Sequence, residues 1–168
     1  MDYRSYKAAW VISAITFSTL IADIYAQRRA PGQAPVKQQI QASLKVGGQM
    51  YQSSEPGRCT HAPVASIYNV VSEMWSVQQA SDGRSLALSF WRPKDGSGDM
   101  VTLAVSSGNT SQQVSTVRGG GATGSGKVTF EKSGNGGTFT VDARTSTGAA
   151  IAGTIRCDAF APHTAEGG

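Results

Sequence analysis

Two cysteines and two histidines are the residues best suited to chemistry in this chain. Cys59 and Cys157 lie 98 positions apart, and His61 and His163 are the only histidines. No C-x-x-C or H-x-x-x-H spacing occurs, so a nucleophilic cysteine or a metal site, the alternatives to pairing, lacks its usual partners. Two cysteines in an exported chain are most simply joined. The sequence therefore predicts a disulfide between Cys59 and Cys157 and no bound metal.

Catalytic constellations of other kinds are weakly represented. There is no G-x-S-x-G elbow, His61 falls in a predicted loop, and His163 falls near the end of the chain. Two pairs of carboxylates could act as acid and base, although solvated surface charge is the simpler interpretation: Asp95 with Asp99, and Glu131 with Asp142. The sequence predicts a protein that is not an enzyme and has no catalytic residues.

A glycine-rich stretch partly matches the sequence motif of a phosphate-binding loop. Gly121, Gly126 and Lys127 fit G-x-x-x-x-G-K, but Val128 replaces the Ser or Thr that would hold magnesium. The motif should also open a helix, whereas the following residues alternate as a strand. We therefore predict a flexible loop over residues 119–126, with no nucleotide and no cofactor.

An aromatic residue beside a cation gives the ligand-binding candidates, Trp91 and Arg92. Leu86, Leu88 and Phe90 alternate and fix one face of their strand as inward, which sends Trp91 to the other face beside Arg92. An aromatic plane next to a cation could grip a sugar ring or an anionic group. In the alternative interpretation Trp91 is covered by a neighbouring part of the chain and contributes to folding instead.

The charge of the chain indicates which partners are compatible with it. Lys and Arg number 15 against 11 Asp and Glu, a formal net charge of +4. This charge favours an anionic envelope polymer, a carbohydrate or an acidic protein as partner. Nucleic acid is disfavoured, because the basic residues are scattered and only Arg28 and Arg29 are adjacent.

The N-terminal segment has the order of a secretory signal. Arg4 and Lys7 precede an uncharged apolar run over residues 8–22, which is shorter than the roughly 20 residues of a spanning helix. We predict a signal peptide over residues 1–26, with cleavage after Ala22 as the alternative. The product would be secreted or periplasmic, without a transmembrane anchor; an uncleaved N-terminal anchor is the competing interpretation.

The remainder of the chain is organised as one domain between two polar ends. Residues 27–38 contain two prolines and show no periodic pattern of hydrophobic residues, which predicts a flexible tether. Residues 161–168 are predicted to form a disordered tail. Residues 39–160 carry period-two alternation broken by turn residues, which predicts a β domain. The predicted strands cover residues 40–46, 84–92, 100–106, 114–118, 127–132, 138–144 and 150–157.

Turn chemistry and strand parity support an antiparallel arrangement. Asp82 and Gly83 form a strong hairpin signal. Cys157 shares the parity of Ile151 and Ile155, so it points into the core where a disulfide is sheltered. The fold class is all-β: an antiparallel β-sandwich or small barrel of about seven or eight short strands, closed by one disulfide.

Residues 63–77 allow two interpretations. Val64, Ile67, Val71 and Trp75 fall at helical spacing after Pro63, which could open a helix. The β-branched residues and the following hairpin signal favour instead a strand over residues 71–79, preceded by a loop or a single helical turn.

The end of the domain, A-G-T-I-R-C over residues 152–157, together with the two-cysteine plan, resembles the small mycobacterial lipoprotein antigens of the 19-kilodalton type. The resemblance implies a disulfide-closed β-sandwich in the bacterial envelope with an adhesive or accessory role, and it supplies no site residues. Those proteins carry lipid on an N-terminal cysteine that this chain lacks, so their anchoring is not implied.

The function expected from the sequence is therefore that of an exported, non-enzymatic β-sandwich. It would serve as an envelope accessory or as a module that binds a ligand or partner. The alternative is a small secreted hydrolase or an enzyme inhibitor.

Overall fold

Alternating apolar and polar side chains build the described part of this chain from antiparallel strands. The computed structural model describes residues 37–117 and 123–163. The predicted signal peptide, most of the predicted tether, and residues 164–168 lie outside this range. Along β1 (Gln38–Val46), Ile40, Ala42 and Leu44 are buried and the residues between them are exposed. The described residues contain no helix that is long and apolar enough to cross a membrane.

Within the described residues, ten further strands follow β1. They are β2 (Gln49–Ser53), β3 (Pro56–Ile67), β4 (Val70–Ser81), β5 (Arg84–Pro93), β6 (Met100–Ser107), β7 (Thr110–Ser115), β8 (Ser125–Ser133), β9 (Gly136–Arg144), β10 (Ala150–Cys157) and β11 (Ala161–Pro162).

The strands form one sheet that nearly closes into a barrel. Its order is β7-β6-β5-β4-β3-β1-β10-β9-β8, and a bridge between Ser115 and Thr123 brings the two ends of this order together. β2 pairs with β1, and β11 pairs in parallel with β3. Apart from β11, every described pairing is antiparallel, as the sequence predicts.

Two arms of the sheet face each other across the core. The first arm contains β2, β1, β10, β9 and β8, and the second contains β3 to β7. Two residue pairs of β1 and β3 join the arms at one side, and the Ser115–Thr123 bridge joins them at the other. Gly57 lies at this junction, where a Cβ atom would overlap the carbonyl oxygen of Gln78 and the side chain of Ile40. Glycine is therefore required where β3 pairs with β1 and packs against Ile40.

The predicted disulfide is present and links the arms. Cys59 on β3 and Cys157 on β10 are bonded, with their Cα atoms 6.3 Å apart and both side chains buried. In the sheet order β1 lies between these two strands. The bond therefore closes the fold across the junction of the arms.

Aromatic rings fill the core between the arms. Phe139 is fully buried, with its ring centroid 4.7 Å from that of Phe130 and 5.9 Å from that of Phe90. Trp75 lies 4.8 Å from Phe130, and Phe130 packs over Gly137, where a Cβ atom would overlap its ring. Rings from both arms thus meet in a single cluster.

Residues 63–77 form strands, so the helical interpretation is wrong. The strand predicted over residues 71–79 is confirmed within β4, but the preceding residues belong to β3 rather than to a loop or helical turn. The pairing of β3 with β4 shifts register between Ala62 and Ala65, and this irregularity accommodates Pro63, which cannot donate to a ladder. Tyr68 and Asn69 make the hairpin turn with φ of 51° and 62°.

Several boundaries differ from those predicted. Residues 37–117 and 123–163 contain eleven strands rather than seven or eight, because β2, β3 and β11 carry little alternation. The strand predicted over residues 114–118 is β7, which begins earlier. The flexible loop predicted over residues 119–126 is wrong at its end, because Ser125 and Gly126 belong to β8; residues 118–122 lie outside the described range. Ala161 and Pro162, assigned to the tail, pair with Thr60 and His61.

Candidate functional site

The predicted ligand-binding pair does not form a joint site. Trp91 is half-buried on the outer face of β5, in register with Met74 on β4 and Met100 on β6. Arg92 lies on the opposite face, because strand alternation gives it the same parity as Phe90. The expectation that the indole and the guanidinium lie side by side is therefore wrong.

Arg92 is engaged by the core aromatics and by a carboxylate. Its guanidinium lies 5.4 Å from the ring centroid of Phe90 and 5.7 Å from that of Trp75. One of its nitrogens is 3.2 Å from a carboxylate oxygen of Asp99. Both attractions stabilise its position at one end of β5.

The other chemically suited residues lie in separate local settings. His61 stacks on Trp75 at 4.7 Å, and Nδ1 of His163 is 3.3 Å from the hydroxyl of Thr60. Asp95 accepts hydrogen bonds from the backbone and hydroxyl of Ser97, which hold the pKa of its carboxyl below the ordinary value. Glu131 and Asp142 are exposed on β8 and β9. No group of three metal-ligating residues occurs in the described ranges.

A polar cavity lies at the other end of β5, beside β2 and the β4–β5 turn. Its volume is about 170 Å³, and its lining includes Tyr51, Glu55, Gln79, Ser81, Asp82 and Arg84. One water needs only about 10–15 Å³ of such space. The cavity therefore has room for several waters or a small ligand.

Gln79 presents a buried acceptor in this lining. Its side chain follows Trp75 and Val77 on the inner face of β4 and is 5 % exposed. Its Nε2 donates to the backbone oxygens of Glu55 at 2.5 Å and Ile40 at 3.5 Å. Its Oε1 is buried without a hydrogen-bond partner among the described residues. Leaving such an atom unpaired costs about 1–3 kcal/mol.

Arg84 presents a buried donor in the same lining. It has the inward parity of Leu86, and its guanidinium lies 4.6 Å from the ring centroid of Tyr51. One terminal nitrogen donates to the backbone oxygen of Gln52 at 2.6 Å, whereas Nε is buried without a partner in the described ranges. No carboxylate of the described residues forms an ion pair with it. The cavity therefore contains a cation without a counter-ion from this part of the chain.

Tyr51 forms the apolar wall beneath Arg84. It is 4 % exposed, and burial raises the pKa of its phenol while the Arg84 guanidinium opposes the rise. As the pH rises, the unfolded chain therefore loses the phenolic proton of Tyr51 at a lower pH than the folded protein does. The free energy of unfolding should fall as the pH rises from about 10 through the folded-state pKa.

We expect Tyr51 to titrate above about pH 10 in the folded protein. Its ¹³Cζ resonance, assigned with Tyr51→Phe, measures the midpoint. Arg84→Met should raise this midpoint further, since it removes the nearby positive charge. A midpoint at or below the ordinary tyrosine value, or a lower midpoint in Arg84→Met, would show that the two side chains are not arranged in this way.

The rim of the cavity carries the opposite charge. Glu55 and Asp82 line it and are exposed, and Asp82 occupies the hairpin turn predicted from the sequence, with φ of 49°. The lining residues that the structure describes include no histidine or cysteine, and they offer amide, guanidinium, phenol and carboxylate groups. These groups are suited to binding a polar molecule by hydrogen bonds and charge.

Sequence reasoning did not identify this cavity, although part of its signal was present. Gln79 is a polar residue at an inward position directly before the Asp82 turn, and Arg84 shares the parity of the buried Leu86. A polar side chain at a core position indicates a specific partner. Tyr51 was inaccessible to the same reasoning because β2 was not predicted.

Comparison with protein-family models, with curated proteins and with solved structures finds no match for this chain.

Proposed function

We propose that this protein is an exported, non-enzymatic module that binds a small polar ligand in the cavity lined by Tyr51, Gln79 and Arg84. The observation that carries the proposal is a polar cavity lined by Gln79 and Arg84, each of which has one buried polar atom, Oε1 and Nε, without a partner among the described residues. Buried polar groups in folded proteins nearly always have partners. A bound ligand would supply both.

Export is supported by features outside the cavity. The apolar run over residues 8–22 after two basic residues has the order of a secretory signal. The disulfide between Cys59 and Cys157 is typical of oxidising compartments such as the periplasm or the cell exterior. A ligand present outside the cytoplasm is therefore the one to seek.

The proposal predicts that a ligand raises the unfolding temperature only when the cavity is intact. A panel of carboxylates, amino acids, primary amides and monosaccharides should contain a compound that stabilises the wild-type protein by a few degrees. A ligand at 100 times its dissociation constant contributes about 2.7 kcal/mol. The same compound should give little or no shift in Arg84→Met.

Arg92→Met is the matched control for this measurement. Arg92 also lies on the inner face of β5 over aromatic rings, but at the opposite end, with Asp99 as its partner. Stabilisation by the ligand should survive in Arg92→Met. If no compound stabilises the wild-type protein more than Arg84→Met, the cavity holds only water and the proposed function is wrong.

A further inference from the structure

We infer that the ligand is a small zwitterion of the amino-acid type, with its carboxylate at Arg84 and its ammonium group at Oε1 of Gln79. This inference rests on the proposed function and specifies the chemical class.

Arg84 and Arg92 lie on the same strand, β5, and differ in their burial and in their counter-ions. This difference indicates that the ligand has a carboxylate. Arg92 is the more exposed, and it has Asp99 at 3.2 Å. Arg84 is the more buried, and the described residues give it no counter-ion. Because a partly buried cation has lost part of its hydration and gains no counter-ion from the described residues, an anionic ligand group is favoured at Arg84. The planar guanidinium matches a carboxylate well.

The side-chain amide of Gln79 has a fixed orientation, which indicates that the ligand has a hydrogen-bond donor. Its Nε2 faces two carbonyl oxygens, those of Glu55 and Ile40, which can only accept. Rotating the amide by 180° would place Oε1 against these acceptors. Oε1 must therefore remain on the other side, where only a group that donates a hydrogen bond can satisfy it.

The carboxylates at the rim favour a positive charge on the ligand group that donates to Oε1 of Gln79. Glu55 and Asp82 line the same cavity as Arg84, so the described part of the lining carries two carboxylates and one guanidinium. A dianion such as phosphate would be repelled by this excess of negative charge, whereas an ammonium group would be attracted. The volume of about 170 Å³ suits a compact molecule.

Three compounds on one carbon skeleton test the inference: L-alanine, L-lactate and propionate carry an ammonium group, a hydroxyl or a hydrogen beside the carboxylate. Calorimetric titration of the purified protein should give the order alanine, then lactate, then propionate. L-alanine should bind about tenfold or more tightly than propionate, the scale of a charge-assisted hydrogen bond.

Two variants assign the contacts. Arg84→Lys keeps the charge but loses the planar fork, so it should weaken all three compounds by a similar factor and keep their order, with Arg92→Lys as the unaffected control. Gln79→Met should remove the preference for alanine over propionate. If Gln79→Met does not fold, the order in the wild-type protein decides.

Propionate binding as tightly as alanine, or lactate binding more tightly than alanine, would overturn the inference. If none of the three binds while another compound of the panel stabilises the wild-type protein but not Arg84→Met, the zwitterion is wrong and the proposed function stands. If no compound of the panel does so, both fail.

Discussion

Replacing both Cys59 and Cys157 by alanine is expected to lower the free energy of unfolding by about 2–5 kcal/mol. The bond closes a loop of 98 positions and joins β3 to β10 across the place where the two arms meet. Without it, the junction retains the short pairing of β1 with β3 and a few hydrogen bonds, such as that from Gln79 to the backbone oxygen of Ile40. The double variant avoids a free thiol but also removes two buried sulfur atoms, whereas the reduced wild-type protein loses the bond and keeps them.

Urea denaturation measures this loss, with the reduced wild-type protein as a second form that lacks the bond. The two forms should unfold at similar urea concentrations, well below that of the oxidised protein. A double variant within about 1 kcal/mol of the oxidised protein would show that pairing of the strands, rather than the bond, holds the arms together.

Phe139→Ala is expected to lower the free energy of unfolding by about 3–5 kcal/mol. The ring is fully buried and contacts rings of both arms, with Phe130 at 4.7 Å and Phe90 at 5.9 Å. Its removal leaves a cavity between rings held by strands of different arms, so collapse around the site is restricted.

Trp91→Ala is the matched comparison for this core truncation. Trp91 is an aromatic residue on the outer face and is half-buried, so its loss should cost clearly less than that of Phe139. Equal losses in urea denaturation would mean that the outer face near Met74 and Met100 is packed as tightly as the core. That result would contradict the assignment of the inner face.

The parts of the fold that could be predicted are those with strict alternation. β1, β5, β6, β9 and β10 each place buried residues at every second position, and the Asp82 turn has the left-handed φ values that its residue types favour. The parity of Cys157 with Ile151 and Ile155 also placed the disulfide correctly.

The parts that could not be predicted depend on contacts between distant segments. β2 has one buried residue, Tyr51, and exposed neighbours, so only its pairing with β1 defines it. β3 contains Pro63 and a register shift, which interrupt the pattern. The cavity combines residues of β2, β4 and β5, and their approach is a property of the closed sheet.

The error at Arg92 arose from a different cause. Trp91 and Arg92 are adjacent in sequence, but adjacent residues of a strand point to opposite faces. Applying the alternation one residue further would have placed Arg92 with Phe90. The same rule applied to Arg84 and Gln79 would have placed both on the inner face.

One ¹H–¹⁵N NMR titration tests most directly whether the cavity is the binding site. The purified protein is titrated with the compound that stabilises it most, and four side chains are followed: the amide of Gln79, the Nε–H groups of Arg84 and Arg92, and the indole N–H of Trp91. We predict saturable shifts at Gln79 and Arg84 with Arg92 and Trp91 unchanged. Saturable shifts at Trp91 or Arg92 with none at Gln79 and Arg84 would contradict this account.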